Sequence, residues 1–116
     1  MLASAASPLR PPSWLAGVVL VMTALVFLPT LSGGFLGDDF VYIARFHALA
    51  WSEWPALFFR DWSGGVWGSP LHELRPFAAL SFMSDARLFG DYAPGYRLTN
   101  LLLHLVATFL LVRLVK

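Results

Sequence analysis

Residues 14–31 read WLAGVVLVMTALVFLPTL, the centre of a stretch from Pro11 to Gly37 that carries no charged side chain. An α-helix rises about 1.5 Å per residue, so this run reaches across most of a hydrocarbon core about 30 Å thick and predicts a first membrane span over 14–31. Pro11 and Pro12 mark its start, and Pro29 with Gly33 and Gly34 mark its end, the punctuation expected of a helix. A cleaved signal peptide is the competing reading, since Arg10 precedes the run and Ser32-Gly33-Gly34 supplies small residues. The run is long for a signal peptide and its cleavage site is poor.

A second apolar run, residues 98–115, reads LTNLLLHLVATFLLVRLV. It predicts a second span. At 100° per residue Arg97, Asn100, His104 and Thr108 fall within roughly 80° of one another, so the strongly polar groups form one stripe. Polar groups in lipid are costly unless paired, and the stripe therefore predicts neighbouring transmembrane helices as partners.

Composition agrees with lipid as the solvent. Of 116 residues 58% are hydrophobic, about 66% with the glycines, where soluble domains have roughly 45–50% on that count. Only 13% are charged and mean hydropathy is +0.66, leaving too little polar surface to cover a small water-soluble globule. A net charge of +1 without a basic run argues against nucleic acid as a partner. The absence of cysteine excludes disulfides, thiolate metal sites and cysteine nucleophiles. Five Trp and 10 Phe suit the membrane–water boundary.

The predicted fold class is thus an all-α membrane protein, two spans joined by a long loop over 32–97. Residues 1–13 form the N-terminal segment. The loop holds five of the eight basic residues and all seven acidic ones, and is the place for chemistry. Arg10 before the first span, with Arg113 and Lys116 at the end of the second, puts residues 1–13 in the cytoplasm and the loop outside, periplasmic or extracellular, by the positive-inside tendency. Residues 38–51 and 75–89 read as short aromatic helices of the kind that lie flat in the headgroup region with arginines snorkelling. Residues 61–70, with Ser63, Gly64, Gly65 and Gly68, break helical periodicity and read as a loop.

Asp38 and Asp39 follow Gly33, Gly34 and Gly37 directly after the first span. Two crowded carboxylates at a low-dielectric boundary raise one another's pKa unless a cation, a metal or hydrogen-bond donors intervene, a poise suited to a general base. The structural alternative is helix capping, with Asp38 accepting amide hydrogen bonds and Asp39 favouring the dipole. Arg75 opens the second loop helix, where it would clamp a phosphate, snorkel or pair with Glu73. Asp61 reads as a turn residue or an acceptor contact. His104 reads as an interhelical hydrogen bonder rather than a catalyst. His72-Glu73 is no zinc motif, because Pro76 stands where a second histidine is needed, and Gly64-Gly65-x-x-Gly68 lacks the strand, helix and lysine of a nucleotide loop.

Several segments in order carry a resemblance: Gly34-Phe35-x-x-Asp38-Asp39, Asp61-Trp62 with glycines, Arg75-Pro76, Leu88-Phe89-Gly90, and residues 95–104, GYRLTNLLLH. They resemble the amino-terminal part of GT-C fold membrane glycosyltransferases, and most of all the tetratricopeptide-repeat transmembrane O-mannosyltransferases and their bacterial relatives. The resemblance covers about residues 33–112. It implies a plasma (inner) membrane enzyme that transfers a sugar from a polyprenyl-phosphate donor to an external acceptor, a protein hydroxyl or a glycan or lipid. By that likeness Asp38 or Asp39 would deprotonate the acceptor, or bind a divalent metal in members that use one; Arg75 would face the donor phosphate. Enzymes of this fold have many more spans, so the chain is expected to be a fragment, inactive alone, with membrane lipid and the remaining helices as its partners. A non-enzymatic two-span scaffold or assembly subunit is the alternative; a transporter fragment would show charged or broken spans near midplane, which the first span lacks.

Overall fold

The computed structural model describes residues 12–115; Arg10, Pro11 and Lys116, which entered the reading of the first span and of sidedness, lie outside them. Helix α1 spans Ser13–Phe27 and runs into a 3₁₀ turn at Leu28–Ser32. Helix α2 covers Asp39–Ala48, a second 3₁₀ segment Trp51–Phe58, helix α3 Pro76–Phe89 and helix α4 Ala93–Leu114. Among the described residues there are no strands. The chain is an all-α membrane protein with two helical segments long and apolar enough to cross a bilayer, Trp14–Ser32 and Ala93–Leu114. The second helix begins at Ala93, before the 98–115 run, because Tyr92 closes a turn through its carbonyl, which accepts from the Gly95 amide at 3.0 Å.

The described residues cluster in two compact units, one formed by residues 12–29 with 101–115, the other by Thr30–Asn100. In the first unit the large apolar side chains remain exposed, Val26 by 69% and Leu111 by 62%, an arrangement that only lipid makes favourable. Two threonine hydroxyls of these helices are satisfied within their own helix. Thr23 Oγ1 donates to the Val19 carbonyl and Thr108 Oγ1 to the His104 carbonyl, each at 2.8 Å, the back-bonding open to hydroxyls in a helix. His104 meets the Phe27 ring edge-on, with centroids 4.6 Å apart.

The second unit has a core of its own. Tyr42, Ile43 and Phe46 present one face of α2, and Ala79, Met83 and Ala86, at i, i+4 and i+7, present one face of α3. Leu57, Trp62 and Tyr96 complete it. Phe46 and Met83 are fully buried. The Tyr42 and Trp62 rings stack at 4.5 Å, and Trp62 meets Phe46 and Phe82 at 5.6 Å each. Offset and edge-on pairs of this kind add about 0.5–1.5 kcal/mol each beyond burial. The two loop helices therefore pack on one another through an aromatic core. Pro76 starts α3 at its first turn, where the missing N–H costs nothing. Gly90 ends it at φ +54°, a conformation that disfavours a Cβ, and its carbonyl accepts from the Tyr96 hydroxyl at 2.8 Å.

Candidate functional site

The two adjacent acids have different surroundings. Asp38 is exposed and occupies the N-cap position of α2, yet its carboxylate makes no capping hydrogen bond; its backbone carbonyl accepts instead from Val41 and Tyr42 at 3.1 and 3.2 Å. Asp39 is half-buried. Its Oδ2 accepts from the Leu36 amide at 3.0 Å while its own amide donates to the Leu36 carbonyl at 3.1 Å, a reciprocal pair that fixes the turn leading into α2. The side-chain hydrogen bond at this turn thus comes from Asp39 and not Asp38, and its donor is the Leu36 amide that precedes α2.

Asp39 also lines a cavity of about 210 Å³ together with Phe35, Phe82, Tyr96, Arg97 and Asn100. Arg97 is held there from behind: its guanidinium donates to the Gly34 carbonyl and lies against Gly33, where an added Cβ would stand 3.0 Å from Cζ. Its Nε is buried with no hydrogen-bond partner. The cavity thus joins an anionic oxygen acceptor, a cation and the side-chain amide of Asn100 between aromatic walls. Asp39 and Arg97 are not ion-paired, the ion pair among the described residues being Arg75–Glu73. A carboxylate free of a cationic partner keeps a lone pair for an incoming proton, and a nearby guanidinium is suited to an anionic leaving group.

Asp61 and Arg75 lie elsewhere, at the two ends of the 61–75 segment, and neither lines the Asp39 cavity. Asp61 accepts from the Ser63 hydroxyl, from the Glu73 amide at 2.9 Å and from the Leu71 amide at 3.4 Å. The Ser63 hydrogen bond, with those from the backbone, holds its carboxyl below the usual carboxylate range against an opposing effect of burial. Asp61 is therefore the organising centre of the loop. Arg75 pairs with Glu73 at 2.8 Å and lies over the Trp62 ring at 5.8 Å, its side chain 56% exposed. No group of three or more imidazole or carboxylate ligands gathers among the described residues.

Asp38, Asp39, Asp61 and Arg75 are legible as site candidates in the sequence, whereas Arg97 and Asn100 are not. The available signal was the polar stripe on the second apolar run, whose first two members these are.

Over 100 residues the chain is 35% identical to the protein O-mannosyl-transferase Tmtc2 of Drosophila melanogaster, a match that covers 79% of this chain and 10% of that protein. The chain is similar to an O-mannosyl-transferase. It spans about a tenth of that relative's length. No protein-family model matches the chain, and no solved structure matches it.

Proposed function

We propose that this chain belongs to a membrane glycosyltransferase of the transmembrane O-mannosyltransferase kind, with a GT-C fold, acting at the outer face of a plasma membrane. The donor is a sugar linked to a polyprenyl phosphate, and the acceptor is a hydroxyl. What supports the reading is the similarity to an O-mannosyl-transferase. The observation that carries its chemistry is the placement of Asp39 and Arg97 on one cavity.

In this reading the acceptor hydroxyl enters the cavity, and Asp39 takes its proton as the oxygen attacks the anomeric carbon. The bond from that carbon to the phosphate oxygen breaks, and the polyprenyl phosphate leaves with the electron pair. Arg97 balances the charge that grows on the leaving group. Asp38, outside the cavity wall, is the alternative base; Arg75 faces donor phosphate along the 61–75 loop once released from Glu73.

The test is transfer of mannose from a polyprenyl-phosphate donor by the full-length gene product in membranes. A positioned base contributes about 10²–10⁴-fold, so Asp39→Asn is expected to lower kcat by at least about a hundredfold, and Asp38→Asn by less than about tenfold. Undiminished transfer by Asp39→Asn removes the assignment.

A further inference from the structure

A second cavity, of about 400 Å³, lies on the same unit between the C-terminal half of α2, the 51–58 segment and the 61–70 loop. Two arginines line it, Arg45 from α2 and Arg60 just after the 3₁₀ segment. Neither is ion-paired, the ion pair among the described residues being Arg75–Glu73. Arg45 Nε is buried without a hydrogen-bond partner. Its guanidinium rests directly on the Gly64 backbone, where an added Cβ would fall 1.5 Å from Nη1. Gly64 itself has φ +56°, so both the conformation and the close approach call for glycine.

Two acids also line the cavity, Glu53 and Asp61; one oxygen of Glu53 and both oxygens of Asp61 are engaged with the protein's own donors. Glu53 Oε2 accepts from the Ala50 amide at 2.8 Å, and both oxygens of Asp61 are taken by Ser63, Leu71 and Glu73. What the cavity offers a ligand is therefore the guanidinium of Arg45, whose buried Nε lacks an acceptor at a cost, beside the exposed guanidinium of Arg60. The rest of the wall is apolar, with Leu49, Ala56 and Leu57. Outside the lining, Trp54, which follows Glu53 in sequence, is 43% exposed, and Phe59, which precedes Arg60, is 86% exposed.

We infer that this cavity binds a phosphate group through Arg45 and Arg60, at a site separate from the Asp39 cavity. Guanidinium groups match phosphate oxygens in geometry and charge, and the apolar wall of Leu49, Ala56 and Leu57 suits the apolar portion of a lipid-borne phosphate. The site uses neither Asp39 nor Arg97, so it stands or falls independently of the glycosyl-transfer reading.

The full chain, purified in detergent, is titrated with inorganic phosphate followed by ³¹P line broadening, and in parallel reconstituted in phosphatidylcholine nanodiscs with and without phosphatidic acid, whose retention is measured by mass spectrometry. Arg45→Gln and Arg60→Gln are each expected to weaken binding about tenfold, and Glu53→Gln to strengthen it by relieving a repelling charge. Loss confined to the nanodisc arm identifies a lipid phosphate, and loss in the free-phosphate arm a soluble one; either supports the site. Wild-type protein that holds neither probe overturns the inference, as does wild-type binding by both glutamine variants when their circular dichroism shows the helices intact.

Discussion

Arg97 reaches back across 63 positions of sequence to donate to the carbonyl of Gly34, its guanidinium lying flat on Gly33 beside the turn that carries Asp39. The glycines that follow the first span are thereby the floor on which the cation of the Asp39 cavity rests.

That arrangement separates stability from activity. A hydrogen bond to a charged donor contributes about 1.5–3 kcal/mol, but the unsatisfied Nε costs about 1–3 kcal/mol and Gly34 is open to water in its place. The two effects nearly cancel. Arg97→Met, which keeps the apolar stem, is expected to change unfolding free energy by less than about 1 kcal/mol in detergent, while transfer by the full-length protein falls at least about tenfold. A variant that unfolds readily or transfers normally contradicts the role.

Gly95 is packed under the Phe89 ring: an added Cβ would meet Cγ at 2.2 Å and Cδ1 at 2.4 Å. Alanine normally gains about 0.8–1 kcal/mol over glycine in a helix. Here overpacking against a rigid ring costs about 1–3 kcal/mol, so Gly95→Ala is expected to destabilise. Thermal unfolding of the single variant, and of the pair with Phe89→Ala, decides it; the pair should recover part of the loss.

Asp85 on α3 is 5% exposed, and Thr99 Oγ1 donates to its Oδ1 at 2.7 Å. Burial pushes its carboxyl above the usual range, and the Thr99 bond only partly offsets this. A raised folded-state pKa means the folded protein holds the proton more tightly, so this group's contribution to stability grows as pH falls through the raised value. Asp85→Asn keeps an acceptor for Thr99 and is expected to leave neutral-pH stability unchanged or higher, with a flatter acid profile. Asp85→Leu strands the hydroxyl and is expected to lose about 1–3 kcal/mol. Unfolding midpoints across pH report both.

Asp61 has the opposite sign. Its carboxyl is depressed by the Ser63 hydroxyl and the amides around it, so its contribution is present above the ordinary carboxylate pKa and is lost as pH falls through the depressed value. The protection of the Leu71 and Glu73 amides, measured as exchange relative to the intrinsic rate at each pH, should fall in acid, and Asp61→Ala should show that reduced protection already at neutral pH. Equal protection in variant and wild type would show that the loop is held by other contacts.

Much of the fold was legible in the sequence because the relevant signals are local. Uncharged length predicted the first span, and the α-helices of the loop fall within the stretches that lack internal glycine and are rich in Ala, Leu and Phe. Ser63 and Gly64 correctly marked a loop at Asp61. The 3₁₀ segment over 51–58 was not legible: Pro55 sits inside it, and proline reads as a breaker while the tighter helix tolerates it near a turn's start. Nor was the shared core of α2 and α3, which needs Trp62, a loop residue, stacked between their rings.

By itself the sequence determined that this chain is helical and suited to lipid, because length, charge depletion and hydropathy act through solvent transfer and need no knowledge of neighbours. It also placed two acids after the first span. Only the tertiary structure decided that Asp39, and not Asp38, enters a cavity, and that Arg97 stands there with it. Adjacent helical residues point about 100° apart, and which direction is inward depends on chain that returns from far along the sequence, an encounter that no local pattern encodes.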